Sequence, residues 1–222
     1  MNRMLTAALL LAVSASVAVA AESYKTKFLA VQLTSGTADL ATLSPFPGNP
    51  LAPPVSAPAY SHSEYGFKAE YWNMMGSEYA FNISGGVGFF GEQDKPASTA
   101  PSGTGDFKYT QNSWNIRVGG DRMLAVGDKS FIFFGPGIEY WSGKAKFEDK
   151  SGSGATYETE NVTRWSLGAR IGGNMMVGPT WGITGQVGTK IGYASYKETG
   201  AETTWWPSSM DGSLGLVFKF GS

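Results

Sequence analysis

The sequence predicts an all-β protein: a closed, antiparallel up-and-down barrel of eight strands that spans a membrane and follows a cleavable signal peptide. Three observations carry this expectation. Behind the leader, apolar residues recur at every second position rather than every third or fourth. The segments that do so are joined by links that alternate between long and short. The chain also holds 30 glycines and 14% aromatic residues at a mean hydropathy of -0.15, as expected where alternation dilutes the apolar residues of a membrane barrel.

The leader MNRMLTAALLLAVSASVAVAAES has Arg3 in a short basic start, an apolar run from Leu5 to Val13, and small residues at Ala18, Ala20 and Ala21 before Glu22. That order marks a secretory signal cut after Ala20 or Ala21, and the run falls short of the roughly 20 residues a spanning helix needs. Residues 1–21 are therefore read as signal peptide and 22–222 as one barrel domain. The absence of cysteine excludes a disulfide framework, a thiolate metal site and lipid attachment through Cys, so the wall depends on backbone pairing. With 17 bases against 18 acids, interspersed, nothing supports nucleic-acid binding.

Eight strands are expected near 24–34, 63–73, 79–91, 108–121, 130–141, 161–177, 181–196 and 208–220. In the second, Tyr65, Phe67, Ala69 and Tyr71 oppose Glu64, Lys68 and Glu70. The third carries Phe81, Ile83, Val87 and Phe89 on one parity. The fourth sets Trp114, Ile116 and Val118 against Asn115, Arg117 and Asp121. In the fifth, FIFFGPGIEYW, both faces begin apolar, and Pro136 between two glycines predicts a bulge or kink. The sixth sets Trp165, Leu167, Ala169 and Ile171 against Arg164, Ser166, Gly168 and Arg170. The seventh sets Trp181, Ile183, Val187, Ile191 and Tyr193 against Gly182, Thr184, Gln186, Gly188 and Lys190. The eighth sets Leu214, Leu216, Phe218 and Phe220 against Asp211, Ser213 and Lys219.

The links after the first, third, fifth and seventh strands are long and rich in Pro, Gly, Ser and charge, whereas those near Met75-Gly76-Ser77, Met123 to Lys129 and Gly178-Pro179-Thr180 are tight. Short turns on one rim and long loops on the other require an even strand count, with both chain ends on the short-turn side.

Lipid decides which face looks out, because unpaired backbone amides are not tolerated in hydrocarbon and only a closed barrel satisfies them all. The apolar parity then faces lipid, with Tyr65, Phe67, Tyr71, Trp114, Tyr140, Trp165, Trp181, Tyr193, Phe218 and Phe220 as its aromatics. The lumen receives the acids Glu64, Glu70, Asp121, Glu139 and Asp211 and the bases Lys68, Arg117, Arg164, Arg170, Lys190 and Lys219. An eight-stranded interior is just wide enough for side chains to fill, so these charges are expected to pair into a plug.

Together the leader, the eight alternating strands, the loop asymmetry and the closing SLGLVFKF resemble the small outer-membrane β-barrel proteins of the OmpA/OmpX and opacity-protein type. The resemblance implies a place in the outer membrane, contact with its lipid and lipopolysaccharide, and recognition of Phe220 by the barrel assembly machinery, although Gly221 and Ser222 follow that residue. It also implies roles in envelope integrity, adhesion or host contact through the long loops, without selecting one.

The rival readings are a narrow channel for small solutes or ions, a lipid A-modifying barrel enzyme, and a soluble lipocalin-like carrier with the apolar parity turned inward. The enzyme would need His62 with Ser61 or Ser63 and Glu64, a set that reads more simply as solvated loop. No catalytic set, cofactor site or metal site is expected. Glu148-Asp149 and Glu158 with Glu160 read as solvated loop charges, the glycine pairs such as Gly85-Gly86, Gly119-Gly120 and Gly172-Gly173 as sites of wall curvature, and Trp205-Trp206-Pro207 as an interface anchor or exposed contact patch.

Overall fold

The computed structural model describes residues 26–37, 63–94, 107–150, 156–158, 161–198 and 201–221. The expected signal peptide and His62 lie outside the described residues. Ten strands follow in chain order: β1 (Lys27–Thr37), β2 (Ser63–Met74), β3 (Tyr79–Asp94), β4 (Phe107–Ala125), β5 (Ser130–Asp149), β6 (Thr156–Glu158), β7 (Val162–Met176), β8 (Trp181–Glu198), β9 (Ala201–Trp205) and β10 (Ser208–Phe220).

Eight of these build the wall. Each pairs antiparallel with its neighbour in the order β1, β2, β3, β4, β5, β7, β8, β10, and β10 closes onto β1. The two short additions sit at the long-link end. β6 pairs with β5, and β9 pairs with β8 in the same register that β10 keeps, so β9 prolongs the line of β10 beyond Trp206-Pro207. Pro207 has no amide hydrogen to donate, but its carbonyl accepts from Gly192 N at 2.9 Å, which holds the interrupted line against β8.

The pairing fixes the shape. From Ile183, directly paired residues run through Leu216, Val31, Ala69, Gly85, Ile116, Tyr140 and Trp165 and return to β8 at Tyr193, ten residues from the start. With about 3.3 Å per residue along a strand and about 4.8 Å between strands, that stagger tilts eight strands by about 40°. Three short turns, 75–78, 126–129 and 177–180, share one end of the barrel with Lys27 and Phe220. They close by Met75 N to Tyr79 O at 2.8 Å, Val126 N to Ser130 O at 2.7 Å and Val177 N to Trp181 O at 3.0 Å. Gly127, at φ 80°, supplies the left-handed backbone that the second turn needs.

The bulge expected at Pro136 is not formed. Arg122 pairs with Phe134 on one side of it and Gly119 with Gly137 on the other, an unbroken register, while the β5–β7 ladder runs straight through Pro136 opposite Ala169. Only the positions facing Gly120 and Asp121 drop out of the β4–β5 ladder. The missing amide hydrogen of Pro136 accounts for one lost bond, and no extra residue is inserted. Gly135 beside it is required by proximity, because a Cβ there would collide with the carbonyl oxygen of Gly120. Gly215 is held in the same way against the carbonyl of Val31.

Side chains alternate across the wall. On β8, Trp181, Ile183, Val187, Ile191 and Tyr193 are exposed while Gly182, Thr184 and Gln186 are buried. The carrier alternative, with this apolar row inside, is therefore not the arrangement found. Outward apolar residues on β7 run from Trp165 to Met175, which at this tilt is a band about 25 Å tall, the height a bilayer-spanning barrel presents to hydrocarbon.

Replacing Gly135 with Val is expected to prevent closure of the wall, seen as loss of the compact band that folded barrels show on unheated detergent gels. Gly85→Ala, where the nearest atom to an added Cβ is 3.8 Å away, is expected to keep that band.

Candidate functional site

The interior is built in layers along the barrel axis. At the short-turn end lies an apolar layer: Phe28, Trp72, Met123, Phe133, Met176 and Val217 are buried together, with the Trp72 and Phe133 rings edge to face at 5.6 Å. This layer explains why both faces of β5 begin apolar: Ile132 and Phe134 look outward, Phe131 and Phe133 inward. Toward the long-link end Trp141, Ala145, Val162 and Ala194 are buried on inward positions of β5, β7 and β8.

Between the two lies a polar cluster centred on Arg170 of β7. Its guanidinium donates to Asp121 Oδ1 at 3.2 Å and Oδ2 at 2.5 Å, to Gln186 Oε1 at 2.9 Å, and to Glu70 Oε1. The same group lies 5.6 Å from the Trp72 ring centroid and 5.3 Å from that of Phe133, so the apolar layer forms its floor. Asp121 also accepts from Trp72 Nε1 and Asn82 Nδ2, both at 2.9 Å. Gln186 Nε2 shares its two N–H groups among Gln32 Oε1 at 3.0 Å, Glu70 Oε2 at 3.1 Å and Ser213 Oγ at 3.0 Å. Lys68 Nζ completes the group at 3.3 Å from Glu70. Lys68, Glu70, Asp121 and Arg170 thus sum to no net charge, and the hydrogen bonds reach residues of seven of the eight wall strands.

A second ion-pair centre joins β5 to β7 and β8: Glu139 Oε1 accepts from Arg164 Nη2 at 3.0 Å and Lys190 Nζ at 2.7 Å, and Arg164 stacks 5.3 Å from the Trp141 centroid. Glu64 takes the Ser113 hydroxyl instead of a cation. Arg117 Nη1 donates to Asn82 Oδ1 at 2.7 Å, and among the described residues neither Arg117 nor Asp211 has an oppositely charged side chain within ion-pair distance. Lys219 departs from the expected lumen set. It keeps the inward parity but stands exposed at the short-turn mouth, away from every one of these pairs, because the stagger carries the end of β10 past the apolar layer.

On the outside, Tyr65, Phe67, Trp114, Trp165, Trp181, Tyr193, Phe218 and Phe220 are exposed. Tyr71 and Tyr140 are half-buried by neighbouring rings, Tyr71 by Phe220 at 6.3 Å and Tyr140 by Trp114 at 5.3 Å and Trp165 at 4.8 Å. Tyr193 meets Trp206 edge to face at 5.4 Å, which places Trp206 in the same outer ring of aromatics. Above that ring β3, β4 and β5 continue as a paired wall, with β6 against the far edge of β5. There Glu148 lies between Lys146 at 2.5 Å and Lys150 at 2.6 Å, which hold its carboxyl down to about 2, and Glu158 pairs with Lys144 at 3.4 Å. Among the described residues no group of three acids or histidines is placed to hold a metal ion.

Several inward residues were not singled out from the sequence: Trp72, Trp141, Phe133, Gln32 and Asn82. The signal was present, since the parity that turns Tyr71 outward turns Trp72 inward.

No protein-family model matches the chain, and no curated protein is significantly similar to it in sequence. Solved structures do resemble its fold. They include Ail, the attachment invasion locus protein of Yersinia pestis (12% identity over 88% of this chain and 97% of that one, TM-score 0.45). They also include the outer membrane protein OprG from Pseudomonas aeruginosa (10% identity, 90% and 98% covered, TM-score 0.47) and a major outer membrane protein from Thermus thermophilus (11%, 89% and 100%, TM-score 0.47). The likeness is one of fold, and the functional reading rests on this chain's own geometry.

Removing Arg170 would strand two buried carboxylates. Arg170→Ala is expected to cost about 3–5 kcal/mol in urea unfolding of the micelle-folded protein, whereas a change below about 1 kcal/mol would mean that water already solvates the cluster.

Proposed function

We propose that this chain is a non-enzymatic outer-membrane barrel whose sealed wall carries a surface for contact outside the cell or supports the envelope. The observation behind this reading is the filled interior. The charge cluster around Arg170 is closed by an apolar layer below and the lumen is narrowed by buried Trp141, Ala145, Val162 and Ala194 above, so that the cavities beside the cluster measure about 60 and 30 Å³, while a wider one of about 380 Å³ opens at the short-turn mouth. Such an interior spends most of its charged groups on one another. The parts left to meet other molecules are the outer apolar band and the long-link end, where β3, β4 and β5 stand above the aromatic ring.

On this reading residues 1–21 direct export and are removed, the exposed aromatics meet membrane lipid and lipopolysaccharide, Phe220 serves the barrel assembly machinery, and the long-link end offers the contact surface for a host or surface ligand. The lumen charges hold the wall in register rather than select ions, because the opposed charges give a passing ion no preferred sign.

Planar-bilayer recording is expected to show no steady current; a stable ion-selective conductance would replace this reading with the channel. Val187→Arg, in the middle of the outward band, is expected to cost about 2–4 kcal/mol in lipid, and a neutral outcome would mean that this face does not meet hydrocarbon.

A further inference from the structure

We propose that the lumen cavity beside Arg117 is a binding site for a small protonated oxyanion of the phosphate class, reached from the long-link end. Donors and acceptors around this cavity do not balance. The cavity of about 60 Å³ is lined by Lys68, Ser84, Arg117, Lys190 and Asp211 among others, and a smaller void shares four of these five. Its carboxylates are largely engaged: Glu139 by Arg164 and Lys190, Glu64 by Ser113. Its donors are not. Arg117 Nη2 is buried with no acceptor, and Ser84, only 3% exposed, has a buried Oγ with no partner. Each unmet group is penalised by its lost hydration unless something in the cavity meets it.

The arrangement is built rather than incidental. Arg117 is held by Asn82, whose other side-chain atom is fixed by Asp121, and by the bare backbone of Gly137, where any Cβ would run into the guanidinium. A fork of fixed direction with one free arm suits an oxygen of a tetrahedral oxyanion. Lys68 and Lys190 supply positive charge at the same cavity, each with one carboxylate bond and further N–H groups to give. Asp211, which has no cation within ion-pair distance among the described residues, then sets the class of ligand. A carboxylate repels sulfate, which has no proton to offer at neutral pH, but accepts a hydrogen bond from the P–OH of hydrogen phosphate. Ordered water alone is the other occupant such a cavity accepts, and the experiment separates the two.

The test is titration of the folded full-length protein in detergent with inorganic phosphate at constant ionic strength, followed by calorimetry and by the thermal midpoint. The expected result is saturable binding that is at least about tenfold weaker for sulfate, a difference set by the carboxylate facing the anion. Arg117→Gln is expected to weaken phosphate binding by about tenfold or more and Ser84→Ala by less, as loss of a charged and a neutral hydrogen bond should. Asp211→Asn should bring sulfate up toward phosphate. Arg122→Gln, whose side chain sits exposed against Glu78 on the outer surface, should change nothing. No saturable binding to the wild type, or equal binding by wild type and Arg117→Gln, overturns the proposal. If Arg117→Gln fails to fold, equal binding by wild type, Ser84→Ala and Asp211→Asn overturns it as well.

Discussion

A guanidinium taken out of water must find its counter-charges inside the protein, and the position of Arg170 imposes that condition on the whole barrel. Its partners lie on β2, β4 and β8, and their own partners on β1, β3 and β10, so none of these seven strands can slide or tilt without separating buried ions from their hydrogen bonds. Ladder bonds between neighbouring strands would survive a shift of two residues almost unchanged, since alternation is preserved. A cross-lumen cluster would not. The charges therefore act less as a source of stability than as a penalty on every wrong register, which is the best-supported use of buried ion pairs.

The same cluster explains why the lumen is layered. Charges placed near the short-turn mouth would be hydrated from that side and would exert little constraint; beneath Arg170 the rings of Trp72 and Phe133 exclude water and present their faces to the cation. The apolar layer and the ion cluster thus depend on each other, one lowering the local dielectric and the other supplying the charge that this makes consequential. The outer face needs no such arrangement, because hydrocarbon accepts any apolar side chain there and asks only for aromatics at its boundaries.

How far all this could be read in advance differs from element to element. The wall was legible: period-two runs such as Trp181 to Tyr193 and the alternation of tight and long links lead directly to eight antiparallel strands with both ends on the short-turn side. The extra strands β6 and β9 were not, since Thr156–Glu158 is too short to show a period and Ala201–Trp205 gains strand character only by lying against β8. At Pro136 the loss of a ladder bond was legible, but the bulge that a proline among glycines usually marks is not formed. Here its ring points outward from a wall whose register absorbs the lost bond without an insertion.

Composition and alternation, by themselves, determined that one parity of each strand is apolar and the other polar, and that the polar set nearly cancels in charge, because these are properties of neighbouring positions along the chain. Which cation meets which anion was decided only by closure. Glu70 and Arg170 are far apart in sequence, and they meet because a stagger of ten residues around eight strands brings their levels together across the lumen. The same stagger carried Lys219 out to the mouth and left Arg117 facing a cavity instead of a carboxylate. Local pattern fixes the face a side chain takes, whereas its height along the axis is a sum over every pairing in the ring, and no single segment contains that sum.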